Sequence, residues 1–359
     1  MSDETLIDAY VDLWPDADII RQAAIRCGGP RRPRRARDYL GFDLLNAGLR
    51  EVWSLAESMA LTQDSAVLEI GCGIGGPLRH VAERFECRAT GIDINPRQLR
   101  RARALTMGLD VEPLVSFAQA DATRLPFCAG TFSHVYSFEA FVHVANKRAA
   151  MAEAYRVLSP GGRFCIQDPV HPPEMDIAML EGTLHPLPPA TYAEQLQKAG
   201  FTDLDITDRT VAAYRAYRQL AELISAGPLM PWRLRAIMDF LHPGVRPPLR
   251  RFISPGRLRY VVRYLADRNR AALDLLETPE RVQGVRRMCE DIVAGFDRGE
   301  ITMYRLLGHK PSGSLHNPSR SEALPRLPAP RTHPLNVHHD RPGRNSERTK
   351  PDLGFFRPK

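Results

Sequence analysis

Short apolar runs alternate with amphipathic stretches along residues 66–209. The runs are bounded by glycine, proline or aspartate, as is typical of buried strands, and the stretches between them have helical spacing. This alternation predicts a doubly wound α/β sheet with right-handed crossovers. The predicted strands are Ala66–Ile70, Cys87–Ile92, Val115–Ala118, Thr131–Ser137, Arg163–Gln167 and Phe201–Thr207, and the predicted helices are Gly76–Arg84, one opened by Asn95-Pro96, Ala145–Leu158 and Tyr192–Ala199.

Helical spacing also flanks this block. It predicts a helix over residues 42–60, and residues 210–300 are helical in pattern before a last strand at Glu300–Leu307. Beyond that strand proline, serine, arginine and histidine dominate, so we expect disorder there. The expected organisation is an N-terminal helical segment (1–60), a core (61–209), a helical cap (210–300), a final core strand (301–309) and a basic Pro-rich tail (310–359).

The formal net charge of +7 is concentrated in the tail. Residues 310–359 hold ten Lys/Arg and four acidic residues, a net charge of +6, which leaves +1 for the rest of the chain. A nearly neutral body offers no charged groove, and there is no Asn-Pro-Pro-Tyr-like base-flipping motif. We therefore expect a small molecule and no nucleic acid as the partner, and a homodimer is compatible with the sequence.

The six cysteines are scattered without any C-x-x-C pair. This spacing argues against a zinc site and against a disulfide framework, so we expect no metal and a reduced, cytoplasmic protein. There is also no signal-peptide pattern and no apolar run long enough to span a bilayer.

The loop Glu69-Ile70-Gly71-Cys72-Gly73-Ile74-Gly75-Gly76 follows the first predicted strand and opens a helix. Glycines allow unusual torsions and remove side chains that would block a ligand, and the first N–H groups of the helix attract an anionic group. The carboxylate of a methionine moiety fits there. A nicotinamide nucleotide or a simple tight turn would also fit this loop on its own. The candidate contacts are Glu69, Gly71, Cys72, Gly73 and Gly75.

Two aspartates follow the next two strands. Asp93 ends the second strand, where a carboxylate can accept both hydroxyls of a ribose; the alternative is an acid at the N-terminus of the following helix. Asp121 follows the third strand and is placed to accept from the amino group of an adenine; the alternative is an ordinary loop aspartate.

Four signatures in one order resemble the class I S-adenosylmethionine methyltransferases. They are Leu68–Gly76, Gly91-Ile92-Asp93, Asp121–Phe127 and Arg156–Gly162. The resemblance covers residues 66–168, with a weaker match to Leu307, and implies a doubly wound, Rossmann-like, seven-stranded α/β methyltransferase sheet with a helical cap insertion. It also implies S-adenosyl-L-methionine as cofactor, with further contacts from Ile94, Ala122 and Ser137.

Within that class two groups are similar to this chain. The stretches Gly73–Arg79 and Ser137–His143 resemble the loop and the Glu-Ala-x-x-His segment of sterol and tocopherol C-methyltransferases. Glycine-betaine-forming N-methyltransferases share a strand ending Gln167-Asp168-Pro169. The C-terminal half departs from both groups.

Methyl transfer requires alignment of nucleophile and methyl carbon and exclusion of water. A carbon nucleophile also needs a group that removes a proton or stabilises a developing cation. Glu139 and His143 are the candidates, because at positions i and i+4 of a predicted helix they would face the same side. Alternatively, Glu139 only caps that helix or bonds loop amides, and His143 is a polar residue at the pocket edge.

The acceptor is expected at the carboxyl ends of the strands, beneath the cap. By resemblance, Tyr39 and the helix behind it close the other side. We expect C-methylation of a hydrophobic natural product or lipid, with N- or O-methylation of a small polar compound as the alternative. A nicotinamide-dependent oxidoreductase and a non-catalytic cofactor-binding module are the remaining alternatives. The cap aromatics fit either a substrate cage or helix packing: Tyr214, Tyr217, Trp232, Phe240, Phe252, Tyr260 and Tyr264.

Overall fold

The computed structural model describes residues 16–44, 48–172, 175, 177–178, 180, 182–224 and 278–312. In this part of the chain the helices are α1 (Ala17–Arg26), α2 (Gly48–Ser58), α3 (Gly76–Phe85), α4 (Pro96–Thr106), α5 (Lys147–Val157), α6 (Pro189–Lys198), α7 (Thr210–Ile224) and α8 (Pro279–Asp297). The strands are β1 (Ala66–Ile70), β2 (Arg88–Asp93), β3 (Val115–Gln119), β4 (Phe132–Phe138), β5 (Leu158–Val170), β6 (Thr202–Asp208) and β7 (Thr302–His309).

The strands form a seven-stranded sheet in the order β3-β2-β1-β4-β5-β7-β6. Strands β1 to β5 pair in parallel, and β7 runs antiparallel to both of its neighbours. The predicted doubly wound α/β sheet is therefore confirmed. Strand β5 begins earlier than predicted, because Leu158 pairs with Phe132 before the register shifts and Arg163 pairs with His134.

Each face of the sheet is covered by its own helices. Helices α1 to α4 pack with Val67 and Tyr136 on one face, and α5 and α6 pack with Leu68 and Ile70 on the other. The alternation of Val67 and Leu68 between the two clusters follows from the period of two along a strand. Both faces are thus buried, as expected for parallel strands.

Helices α7 and α8 form a third apolar cluster with Met303 of β7. They are the described parts of the predicted cap at residues 210–300. Most of the predicted tail (313–359) and five of the cap aromatics lie outside the described residues, namely Trp232, Phe240, Phe252, Tyr260 and Tyr264. Among the residues described, no helix combines the length and the apolar character needed to cross a membrane.

Candidate functional site

A cavity of about 430 Å³ opens at the carboxyl ends of β1, β2 and β4. Strand β1 pairs with β2 on one side and β4 on the other, so the cavity lies where the strand order reverses, the usual ligand crevice of such sheets. Most of the predicted site residues line it, namely Glu69, Gly71, Cys72, Gly73, Asp93, Ile94, Asp121, Ala122, Glu139 and His143.

Two predicted contacts, Gly75 and Ser137, are not among the lining residues. Gly75 is the N-cap of α3. The buried hydroxyl of Ser137 donates to the carbonyl oxygen of Ile70 at 3.0 Å, so it stabilises the end of β1 from the neighbouring strand. A cofactor contact from either residue stays a prediction.

The glycine loop requires glycine both for its torsions and for space. Gly71 and Gly75 each have φ of +75°. A Cβ at Gly71 would lie 2.4 Å from the Cβ of Ala140, and one at Gly75 would lie 2.7 Å from the Phe117 ring. The N–H groups of Gly71 and Cys72 both donate to the Ile92 carbonyl at 2.9 Å, which ties the loop to β2. The backbone of the loop therefore lines the cavity directly.

Asp93 connects this loop to the end of β2. Its carboxylate accepts the N–H of Gly73 and the N–H of Asn95, each at 2.9 Å. The N-cap of α4 is Asn95, whose side chain accepts from the N–H groups of Arg97 and Gln98, so Asp93 is not the capping residue itself. Burial raises the pKa of Asp93. Each carboxylate oxygen keeps a lone pair for a ligand hydroxyl.

Glu69 brings a second buried acid to the cavity. Its Oε2 atom has no hydrogen-bond partner within ordinary distance among the described residues. Burial, with a further contribution from the charge of Asp93, raises the pKa of Glu69 to about 8, against the lowering effects of Tyr136 and Arg79. A cation placed beside Glu69 would restore its ionised form.

Asp121 lies beyond the end of β3 and faces the cavity together with Thr123. Its carboxylate accepts the Thr123 N–H at 2.8 Å and the Thr123 hydroxyl at 2.7 Å. These local bonds fix the orientation of the side chain. Within the described ranges, no group of three or more His, Cys, Asp and Glu side chains is arranged to hold a metal ion.

The predicted helix carrying Glu139 and His143 is wrong. Glu139 has φ of +54° and donates its N–H to the Gln167 carbonyl at 2.7 Å, so the chain follows β5 there instead of starting a helix. A short 3-10 helix, Phe141–His143, comes next, and α5 begins only at Lys147. Both side chains nevertheless line the cavity, although not by the predicted i, i+4 arrangement.

Glu139 and His143 have different partners. The Tyr217 hydroxyl of α7 donates to the Glu139 carboxylate. The Nδ1 atom of His143 lies 3.1 Å from the Thr183 carbonyl oxygen, and burial lowers the pKa of His143 to about 4. His143 is therefore a neutral imidazole at neutral pH. Since a carbonyl only accepts, Nδ1 carries the proton and Nε2 is left as an acceptor.

The sequence predicts that the helix behind Tyr39 closes the cavity, but it does not single out the residues that do so. They are Asp43, Leu44, Gly48 and Val52, and His185 also lines the cavity. The helix behind Tyr39 does contribute, but Tyr39 itself does not, because its hydroxyl donates to the Leu105 carbonyl at 2.6 Å. An acid in an apolar segment was the available signal for Asp43.

Asp43 is anchored by a buried ion pair behind the glycine loop. Its Oδ2 atom lies 2.9 Å from Nη2 of Arg79, and both side chains are fully buried. Burial raises the pKa of Asp43, but His80 and Arg79 outweigh it and hold the pKa below its usual range. A Cβ at Gly76 would lie 2.0 Å from the Asp43 carbonyl oxygen. The second glycine of the Gly75-Gly76 pair is thus needed for the N-terminal segment to pack against the start of α3.

Comparison with known proteins agrees with this geometry. Residues 68–166 match the family model described as a methyltransferase domain, and this stretch includes the glycine loop, Asp93, Asp121 and Glu139. The resemblance to class I methyltransferases near the sterol C-methyltransferase group is confirmed. A domain match over the glycine loop also argues against the oxidoreductase alternative.

Two curated relatives align beyond the domain. The sterol 24-C-methyltransferase erg6 of Schizosaccharomyces pombe is 29% identical over 219 residues, which are 58% of this chain and 56% of that protein. The sarcosine/dimethylglycine N-methyltransferase of Halorhodospira halochloris is 28% identical over 170 residues, 45% of this chain and 60% of that protein. The chain therefore spans a little over half the length of these relatives.

A solved structure shows the same fold. The phosphoethanolamine N-methyltransferase 2 of Haemonchus contortus superposes with a TM-score of 0.54 at 17% identity, covering 74% of this chain and 53% of that chain. The Rossmann-like architecture around the methyltransferase domain is thus shared with that protein.

Proposed function

We propose that this protein transfers a methyl group from S-adenosylmethionine to a carbon atom of a hydrophobic small molecule. The observation that carries the proposal is the cavity in which the glycine loop, Glu69 and Asp93 meet at the carboxyl edge of the sheet. The methyltransferase domain match and the sterol 24-C-methyltransferase relative support it.

The cavity fits the chemical groups of this cofactor. Its ammonium and sulfonium are cations, and Glu69 supplies a buried carboxylate whose Oε2 atom has no partner in the described part of the chain. Asp93 would hold the ribose hydroxyls, and Asp121 with Ala122 would hold the adenine. The N–H groups of the loop and of the start of α3 would hold the carboxylate.

The protein's own residues must align the reactants and exclude water. When bound, the cofactor supplies an electrophilic methyl group together with its leaving group. His143 lines the cavity with Nδ1 bonded to the Thr183 carbonyl, and through Nε2 it would accept the proton that leaves a methylated carbon. The Glu139 carboxylate is suited to stabilise positive charge that develops on the acceptor.

The remaining residues that line the cavity support a hydrophobic acceptor. Leu44, Val52 and Phe138 make part of the lining apolar, which suits a lipid, terpenoid or polyketide. N-methylation of a small polar amine is the second candidate, because the sarcosine/dimethylglycine N-methyltransferase relative aligns as well. Both candidates use the same cofactor half of the cavity, so the product distinguishes them.

Three further expectations belong to this proposal. The cap at residues 210–300 is expected to cover the acceptor, and Tyr217 of α7 bonds to Glu139, which lines the cavity. A reducing compartment such as the cytoplasm suits the cysteines, all six of which are unpaired. The acceptor is a small molecule rather than nucleic acid, because the body of the chain is nearly neutral; size-exclusion measurements would decide between monomer and homodimer.

The proposal is tested with methyl-labelled S-adenosylmethionine and a panel of sterol, prenyl, polyketide and amine acceptors. We expect label in a carbon-methylated hydrophobic product, and S-adenosylhomocysteine binding that weakens in Asp93→Asn but not in the surface control Asp110→Asn. Label only in an amine product would support the second candidate. Cofactor binding without transfer to any acceptor would favour a non-catalytic module, and absence of cofactor binding would overturn the proposal.

A further inference from the structure

Three buried polar side chains surround the turn that carries His143. They are Lys147 of α5, Asp168 of β5 and Tyr192 of α6, with exposed fractions of 3%, 1% and 0%. None of them lines the cavity. They lie on three different elements, so their convergence on one turn is a property of the fold rather than of local sequence.

Asp168 and Tyr192 lie beside the beginning of the turn. The Oδ2 atom of Asp168 accepts the Tyr192 hydroxyl at 2.8 Å, and the Tyr192 ring lies 6.5 Å from the Phe141 ring. The backbone N–H of Phe141 acts to lower the pKa of Asp168. The Phe141 ring is fully buried and packs 5.8 Å from the Phe164 ring. Phe141, two positions before His143, is thus fixed by the packing of its side chain against Phe164 and Tyr192.

Lys147 holds the rest of the turn. Its Nζ atom donates to the Val144 carbonyl at 2.9 Å and to the Val142 carbonyl at 3.3 Å. The His185 N–H donates to the same Val142 carbonyl at 2.8 Å. The two residues that flank His143 in sequence therefore both bond to one buried ammonium group.

These charges are costly to bury. Burial raises the pKa of Asp168 to about 7 and lowers the pKa of Lys147 to about 8, although each charge favours the other. The Oδ1 atom of Asp168 has no hydrogen-bond partner among the described residues. A buried charged pair is weak evidence for stability, because well-packed apolar side chains often serve as well. If the charged groups instead hold the turn in one conformation, that role would explain why they are buried here.

We propose that Lys147, Asp168 and Tyr192 are positioning residues that fix the Phe141–Val144 turn and so set the His143 imidazole at the cavity wall. The proposal rests on the proposed function only for the role of His143 in methyl transfer. The other part of the proposal, that these residues control the position of the imidazole, rests on the bonds from Lys147 to the backbone of the turn.

The test compares Tyr192→Phe, Asp168→Asn and Lys147→Met with the wild-type chain. A matched control is Lys310→Met, because Lys310 also donates to two carbonyls, those of Tyr155 and Leu158, and lies 4.6 Å from a tyrosine ring, but at the other end of β5. Imidazole spectra of histidine-labelled protein report His143, with its signals assigned by His143→Gln. Calorimetry with S-adenosylhomocysteine reports the cofactor half of the cavity.

We expect the three cluster variants to shift the His143 signals while S-adenosylhomocysteine still binds, and the control to leave His143 unshifted. With an acceptor identified, kcat at saturating cofactor should fall about 10- to 100-fold, whereas KM for the cofactor changes little. If Asp168→Asn or Lys147→Met fails to fold, Tyr192→Phe, which removes one hydroxyl, decides the result.

Unshifted His143 signals in folded Tyr192→Phe and Lys147→Met would overturn the proposal. Equal falls in kcat for these variants and for Lys310→Met would do so as well, because they would indicate a general loss of stability. Failure of the wild-type chain to methylate any acceptor would count against the proposed function alone, since the imidazole spectra need no acceptor.

Discussion

The hydroxyl of Tyr217 on α7 donates a hydrogen bond to the carboxylate of Glu139 at the end of β4. The Tyr217 ring packs 6.1 Å from the Phe296 ring of α8, so both described cap helices support this contact. Glu139 itself has φ of +54°, a conformation that costs a non-glycine residue free energy. The orientation of the Glu139 carboxylate is therefore coupled to the placement of the cap.

Removing this hydrogen bond should impair turnover more than cofactor binding. In Tyr217→Phe we expect kcat to fall about 10-fold or more, because a hydrogen bond to a charged group contributes about 1.5–3 kcal/mol. Tyr214→Phe is the control, because Tyr214 lies on the same helix whereas the hydrogen bond to Glu139 comes from Tyr217. Steady-state kinetics at saturating cofactor give the comparison. Equal kinetics for the two variants would show that the contact with Glu139 has no catalytic consequence.

The sequence predicts the sheet well because strands buried on both faces are continuous apolar runs, as in Ala66–Ile70. It also predicts that Asp93 and the glycine loop lie together at the cavity, because both directly follow strands whose carboxyl ends share one edge of the sheet. The helix at Glu139 was predicted wrongly, since the N–H of Glu139 bonds to Gln167 of another strand. Asp43 was missed for the same reason: its partner Arg79 is distant in sequence.

Gly71→Ala should abolish cofactor binding through a single steric contact. Its Cβ would lie 2.4 Å from the Cβ of Ala140, next to Glu139. Gly108→Ala is the control, because Gly108 has φ of +82° but nothing within 4 Å of an added Cβ. Both variants should lose about 1–2 kcal/mol of unfolding free energy from the left-handed backbone, but only Gly71→Ala should lose binding.

The double variant Gly71→Ala/Ala140→Gly separates the two causes. Removing the Ala140 Cβ relieves the clash and leaves the backbone cost at position 71 unchanged. We expect calorimetry with S-adenosylhomocysteine to show partial recovery of binding. If the folded double variant recovers no binding, the backbone torsion at position 71, rather than the contact with Ala140, causes the loss of binding.

Acid should destabilise the fold through His134 on β4. Burial, with repulsion from Arg163 and His309, lowers its pKa from 6.5 to about 4. Between pH 6.5 and about pH 4 the unfolded chain therefore binds more protons than the folded chain. The free energy of unfolding is at its full value above pH 6.5 and decreases as the pH falls toward about 4. Urea unfolding should show a smaller loss between pH 7 and pH 5 in His134→Gln than in wild type. An unchanged loss in His134→Gln, or an equal reduction in the less buried His309→Gln, would contradict this assignment.

Cofactor affinity should rise with pH because of Glu69. Its pKa of about 8 means that the carboxyl group is largely protonated at neutral pH in the absence of a ligand. A bound cation favours the ionised form, so binding releases a proton and strengthens as the pH rises toward 8. Calorimetry of S-adenosylmethionine between pH 6 and pH 7.5, in two buffers of different ionisation enthalpy, measures that proton. With Glu69→Gln the ligand titrates as before, but we expect weaker binding and no proton released from position 69. Equal proton release in both proteins would show that Glu69 is already ionised before the ligand binds.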